Sequence, residues 1–341
     1  MLANIKLLKM RKLKVSEIEI ASILPKKEVI IEQGLQDRKP FIVSNTIDCP
    51  LEELKYRHII PVFVKDNEPA INHSDFIEIT QEVAQTFYRG ETILNPSIRV
   101  SHPIKGRTPE ARLKQAKDLQ ENEKTLYYER MAFAMEIPTI TDEVSGNQLS
   151  LTIGGIKAYN LDNLYNRKGV DEHFKLYVGF QNKVCTNLCI SSDGYVRDLK
   201  VKSIEQLMDG ILSMVQRYDP MLHLKQMKRM DQAVLTEQQF ATLIGRCRMY
   251  SHVPKDLKKE IAPMEFVDTQ LGTVVRDYYT DESFCRNFDG SINLWKVYNL
   301  FTGSNKSSYI DTFLDRADNA YQFTTSLASA VENKHYNWFL N

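Results

Sequence analysis

From Tyr127 to Ser203 the sequence reads as a run of antiparallel strands, and no other stretch narrows the possible folds as far. In YYERMAFAMEIPTIT, Met131, Phe133 and Met135 alternate with Ala132, Ala134 and Glu136. Period two over this length predicts a strand with one buried face. Pro138 marks a strand end or an edge. EVSGN follows as a turn, with Gly146-Asn147 suited to positive φ. QLSLTIGGIKAYN then places Leu149, Leu151 and Ile153 on one face. Gly154-Gly155 predicts a bulge or a close backbone approach there. HFKLYVGFQNKVCTNLCI is a long strand candidate, and Asp193-Gly194 is the strongest hairpin turn in the chain. A sheet of this kind needs cover, and the helices predicted after Lys202 supply it.

Those helices follow from apolar spacing. SIEQLMDGILSMVQRY carries Ile204, Leu207, Met208, Ile211, Leu212 and Val215 on a wide face. Met131, Phe133, Leu151, Ile153, Ile204 and Ile211 are expected to share one core. TEQQ at Thr236–Gln239 is a capping box for a helix through Tyr250. The last residues, HYNWFL, are aromatic and expected to dock. Before the sheet, PFIVSN (40–45) and IIPVFV (59–64) read as short buried strands. Asn72 to Ser74 caps a helix striped by Phe76, Ile77, Ile79, Val83 and Phe87. Thr108-Pro109-Glu110 predicts a helix start, with a polar helix to about Asn122.

The expected fold is α+β: a central antiparallel sheet, a mixed N-terminal part and a helical C-terminal part packed on it. The divisions fall at 1–22 (a basic arm), 23–125 (mixed α/β), 126–202 (sheet) and 203–341 (helical). They leave room for one continuous domain from residue 23.

Basic and acidic residues balance at 44 each, so no global field steers the chain toward nucleic acid. No apolar run reaches the roughly 20 residues that span a bilayer, and the start is a poor secretory signal. With five cysteines, an odd number, reduced thiols and a cytoplasmic location are expected.

Few residues carry a chemical signature. His102, Lys105 and Arg107 precede the predicted helix at Pro109, which makes a phosphate site chemically reasonable. Ordinary loop charge is the more economical reading, because no glycine-rich cradle accompanies them. Cys185 and Cys189 have zinc-knuckle spacing but lack a second pair, so no metal is assigned. Asp311, Asp315 and Asp318 would share one face of a helix; a solvated face is the usual explanation and is preferred to a Mg²⁺ site on paired carboxylates. Lys306-Ser307-Ser308 lacks the strand that precedes a phosphate loop. No HExxH, G-x-S-x-G or complete G-x-G-x-x-G occurs, so an enzyme is disfavoured and no cofactor is expected.

VSHPIKGRTPEA (100–111) and INLWKVYNLFTGSNKSSYIDTFLDR (292–316), with LTIGGIKAYN and VCTNLCISSDGY between them, resemble an uncharacterised family on bacterial plasmids, conjugative elements and prophages. The VCTN step and the LWKVYNLFT helix are more loosely similar to the phage/plasmid-like protein group. The resemblance implies a mobile-element neighbourhood and carries over no catalytic residue. The reading it favours is non-enzymatic DNA handling, with single-stranded DNA as partner. Its candidate contacts are Lys105, Arg107, Arg112, Arg246 and Arg248, interleaved with Tyr127, Tyr128 and Tyr159. Two alternatives stay open: a partner-binding protein that acts against host defence or regulates the element, and a metal-dependent enzyme. Oligomerisation is left open, and no membrane association is expected.

Overall fold

In the computed structural model the described residues are 39–58, 71–162 and 171–341. The predicted basic arm and the IIPVFV strand lie outside them. The elements in order are β1 (Thr46–Asp48), α1 (Leu51–Tyr56), α2 (His73–Phe87), β2 (Ser97–Ser101), β3 (Ile104–Arg107), β4 (Lys124–Tyr127), β5 (Arg130–Val144), β6 (Asn147–Ala158), β7 (Glu172–Asn182), β8 (Leu188–Cys189) and β9 (Tyr195–Val201). Then come α3 (Ile204–Arg217), α4 (Pro220–Gln232), β10 (Val234–Leu235), α5 (Glu237–Tyr250), α6 (Lys255–Lys258), α7 (Asp268–Thr280), β11 (Ile292–Asn293), α8 (Leu294–Asn305) and α9 (Ile310–Asn333). The fold is α+β. The main sheet is antiparallel with order β1-β2-β5-β6-β7-β8, and β9 also pairs with β7.

The alternation in β5 decides how each face is covered. Met131, Phe133 and Met135 pack toward α2 and α3, in a core shared with Phe76, Leu207 and Ile211. Ala132 and Ala134 face the other way, where Ile310, Phe313, Leu314 and Ala317 of α9 close over them. Small residues on that face let a helix approach closely. Both faces are therefore buried, where strand periodicity predicts cover on one. Ile204 is the exception to the expected core: it opens α3 and is 42% exposed.

Gly154 and Gly155 mark close approach and not a bulge, because the β5–β6 register runs through them unbroken. A Cβ on Gly155 would sit 2.5 Å from the Phe76 ring and 2.5 Å from the Lys175 carbonyl oxygen. Gly155→Ala is accordingly expected to destabilise the protein by about 1–3 kcal/mol. Urea unfolding checks it; an unchanged midpoint would mean that α2 can move aside freely.

Local expectations fail at several places. The α-helix predicted over 108–122 is replaced by short 3-10 turns at Pro109–Ala111, Ala116–Asp118 and Glu121–Glu123. Its start signals are sound, but nearly all of its side chains are exposed, and a helix with no face to bury is marginal in water. PFIVSN forms no strand; Phe41 and Ile42 are buried beside α9 without sheet pairing. The β5–β6 turn has its positive φ at Ser145 and Gly146, one residue earlier than expected. Asp193-Gly194 closes no hairpin, because β8 and β9 both pair with β7. The long strand through Cys185 ends at Asn182, so Cys185 lies in a turn and Cys189 on the returning β8. All five cysteines are free thiols.

Candidate nucleic-acid interface

Lys105 and Arg107 stand on β3, which pairs with β4 in a separate two-stranded sheet. Lys105 lies opposite Leu126, and Arg107 opposite Lys124. Leu126 also bridges His58, which brings the end of α1 alongside the hairpin. The segment thus joins Tyr56 and Arg57 to the basic residues of the hairpin and its connection. Tyr56 is 80% exposed. Arg57, Lys105 and Arg112 are exposed and make no side-chain hydrogen bond or ion pair among the described residues. Arg107 donates to the Lys114 carbonyl, Lys114 pairs with Glu123, and Lys124 with Glu121. Exposed pairs of this kind contribute little and yield to a phosphate readily.

The second predicted group lies on other elements. Arg246 and Arg248 are on α5, which packs on α7 and β10. Arg246 donates to the Asn341 carbonyl at 2.7 Å and lies over the Trp338 ring at 5.0 Å. Arg248 pairs with Asp268 at 2.7 Å. Neither arginine shares an element with the hairpin, and both have intramolecular partners. The chemically reasonable phosphate site around His102, Lys105 and Arg107 lacks a helix N-terminus, because a 3-10 turn and not an α-helix follows, in keeping with the preferred reading of ordinary loop charge.

Tyr127, Tyr128 and Tyr159 turn inward. Tyr128 and Tyr159 are buried and offer no face to a base, and Tyr127 is half-buried. They build the base of the hairpin. The His58 ring stacks on Tyr127 at 5.6 Å, Tyr127 on Tyr159 at 5.7 Å, and His73 leans on Tyr159 at 4.4 Å. Tyr128 donates its hydroxyl hydrogen to Glu53 of α1. His73 Nε2 lies 2.9 Å from the Tyr128 carbonyl oxygen and so carries the proton that bonds it. Burial holds His73 well below the ordinary histidine range and brings His58 down to about 4. Both rings are neutral at pH 7.

Beneath this stack lies a buried ionic cluster that the sequence does not announce. The Lys157 ammonium lies 2.7 Å from Glu172 and 3.1 Å from Asp162, and 4.0 Å over the Phe174 ring. The lysine and both acids are buried. Glu172 also accepts the Ile71 amide at 3.2 Å, and Asp162 the His173 amide at 2.7 Å. The cluster therefore ties the ends of β6 and β7 to the chain entering α2. It makes the hairpin's footing rigid, and a binding surface needs such support. No local pattern signals it, because one lysine in a strand looks like any solvent-facing lysine.

The aspartates of α9 share a face as expected, but that face meets the sheet and not water. Asp311 accepts from Arg130 at 2.9 Å. Asp315 accepts from Tyr195 at 2.8 Å and pairs with Arg197 at 3.0 Å and with Lys175. Asp318 accepts from Ser192 at 2.7 Å. Among the described residues, no group of three or more His, Cys, Asp and Glu is placed to hold a metal ion. Lys306 is spent on the Cys185 carbonyl and the Thr186 hydroxyl, where burial lowers it to about 8. No helix among the described residues is long and apolar enough to cross a membrane.

Residues 25–340 match the family described as Domain of unknown function, B. Theta Gene description (DUF3871). No curated protein and no solved structure matches the chain.

Proposed function

The chain belongs to the DUF3871 family, whose function is unknown, and on that premise we propose that it is a non-enzymatic nucleic-acid-handling protein that binds single strands along the β3–β4 hairpin. One observation carries the reading. The exposed Tyr56 ring is joined through the His58–Leu126 bridge to a hairpin that bears the uncommitted Lys105. A stacking ring beside cations that track a backbone is what sequence-tolerant single-strand binding requires. The buried footing of the hairpin supports it, and because the chain has no net charge, attraction to a nucleic acid has to come from a local basic surface such as this one. The family resemblance to plasmid and prophage proteins makes mobile-element DNA the natural partner. The contact set is Tyr56, Arg57, Lys105, Arg107 and Arg112; Arg246 and Arg248 are left out of it.

Fluorescence anisotropy with labelled single- and double-stranded oligonucleotides, at low and moderate salt, tests the reading. Single strands are expected to bind more tightly, and binding should weaken with salt as counterions are released. Tyr56→Ala should cost about 1–3 kcal/mol of binding. Lys105→Ala should reduce the salt slope by about one contact.

A second reading rests on the same arm. Leu113 is 90% exposed and Ile104 47% exposed, which suits a protein partner better than a phosphate backbone. If neither oligonucleotide binds at micromolar protein in low salt, the arm is a protein-docking element.

A further inference from the structure

On the sheet face that α9 covers, β9, the turn before it and α9 line a cleft of about 470 Å³ together with Pro263 and Glu265. Ser192, Tyr195 and Arg197 line one wall, and Asp318, Asn319 and Gln322 the other. The volume is that of a small-molecule site.

The carboxylates here are unequally served. Asp315 has Lys175 and Arg197, and Glu265 shares Arg197 at 3.3 Å. Asp318 has neutral partners alone. Its carboxylate accepts the Ser192 hydroxyl at 2.7 Å and the Gln322 amide at 2.8 Å. It makes no ion pair among the described residues, although it is only 6% exposed. The nearby guanidinium of Arg316 is turned away, to the Glu265 carbonyl at 3.0 Å and the Ser308 hydroxyl at 2.8 Å. A carboxylate that is buried without a counter-charge is costly. Here it sits in the wall of a cleft with room for the missing cation.

We infer that this cleft binds a small organic cation, with its ammonium group against Asp318. A primary ammonium has three donors and no acceptor, which suits the open lone pairs of Asp318 and the amide oxygen of Gln322. Among the described residues no three of His, Cys, Asp and Glu converge closely enough to hold a bare metal ion. The inference is independent of nucleic-acid binding at the hairpin, because no cleft residue belongs to that surface.

The probes are butylamine and 1,4-diaminobutane, with 1-butanol as the neutral match. They are titrated into full-length protein at millimolar concentration, and binding is read by amide chemical shifts and by thermal shift. Saturable changes at Ser192, Asp318, Asn319 and Gln322 are expected with the amines and not with butanol. Asp318→Asn keeps the shape and removes the charge. It should weaken amine binding by about tenfold or more, since hydrogen bonds to charged groups are the strong ones. Its melting temperature should hold or rise, because the uncompensated charge has gone. The inference is overturned if butanol matches the amines, if the shifts map elsewhere, if Asp318→Asn binds amine as well as the parent, or if no amine binds. Should the variant fail to fold, the shift map and the butanol comparison on the parent protein still decide.

Discussion

Lys157→Met is expected to destabilise the protein by about 3–5 kcal/mol at neutral pH, the cost of removing one member of a buried ion cluster. The loss arises because Asp162 and Glu172 stay buried without their cation. Burial already pushes the Asp162 carboxyl above its ordinary range, against the pull of Lys157. Without the ammonium it rises further. A carboxyl whose folded pKa lies above its unfolded value binds more protons in the folded state, so the difference between variant and parent should shrink as pH falls. Replacing all three by neutral shapes, Lys157→Met with Asp162→Asn and Glu172→Gln, should recover most of the loss, because a buried ion cluster and a neutral one of equal shape often differ little. Urea midpoints at neutral and mildly acidic pH measure both. A cost for Lys157→Met below about 1 kcal/mol would place the cluster among solvated surface pairs. Because the cluster anchors β6, β7 and the start of α2 beneath the hairpin, the same variant should also weaken oligonucleotide binding while leaving every proposed contact residue in place.

Stability is also expected to fall steeply between pH 7 and pH 5, before most carboxylates titrate. Burial lowers His58 to about 4 and His223 to about 3, and holds His73 well below the ordinary value. The sign follows from proton counting. Below about pH 6.5 the unfolded chain protonates these rings and the folded protein does not, so the unfolded state gains. The contribution is complete above about 6.5 and is lost as pH falls toward the folded values. Each histidine should cost about 2 kcal/mol by pH 5, at about 1.4 kcal/mol per pH unit. His58 is only partly buried and should fall short of this. His223 is the cleanest to test: its Nδ1 lies 2.9 Å from the Tyr218 hydroxyl oxygen, and its Nε2 is buried with no hydrogen-bond partner among the described residues. His223→Gln should flatten the slope by one histidine's share. A parent protein equally stable at pH 7 and pH 5 would show that these rings take up protons without unfolding.

Much of the framework is legible in the sequence. Strand periodicity places β5 and β6, the Asn72 cap and the apolar stripe place α2, and the Thr236 capping box places α5. These are local signals, set by side-chain period and by the backbone groups that a cap must satisfy. The errors have a common cause. The polar stretch over 108–122 has helix start signals but no face to bury. Asp193-Gly194 has turn chemistry, yet β9 finds a partner other than the strand before it. Start and turn signals say what the backbone permits locally, and burial decides what it adopts.

The candidate interface divides along the same line. That Lys105, Arg107 and Arg112 lie close together is legible without any structure, because they are near in the chain. That Tyr56 joins them, and that Tyr128 and Tyr159 do not reach solvent, follows from the packing of elements distant in the chain. The same packing engages Arg246 and Arg248 elsewhere, buries Lys157 between two acids and leaves Asp318 without an ion pair among the described residues. A charged or aromatic side chain has the same local preferences whether it meets water or another element. Its environment is set by which distant strands and helices converge on it, and that is settled when the sheet closes under α2 and α9.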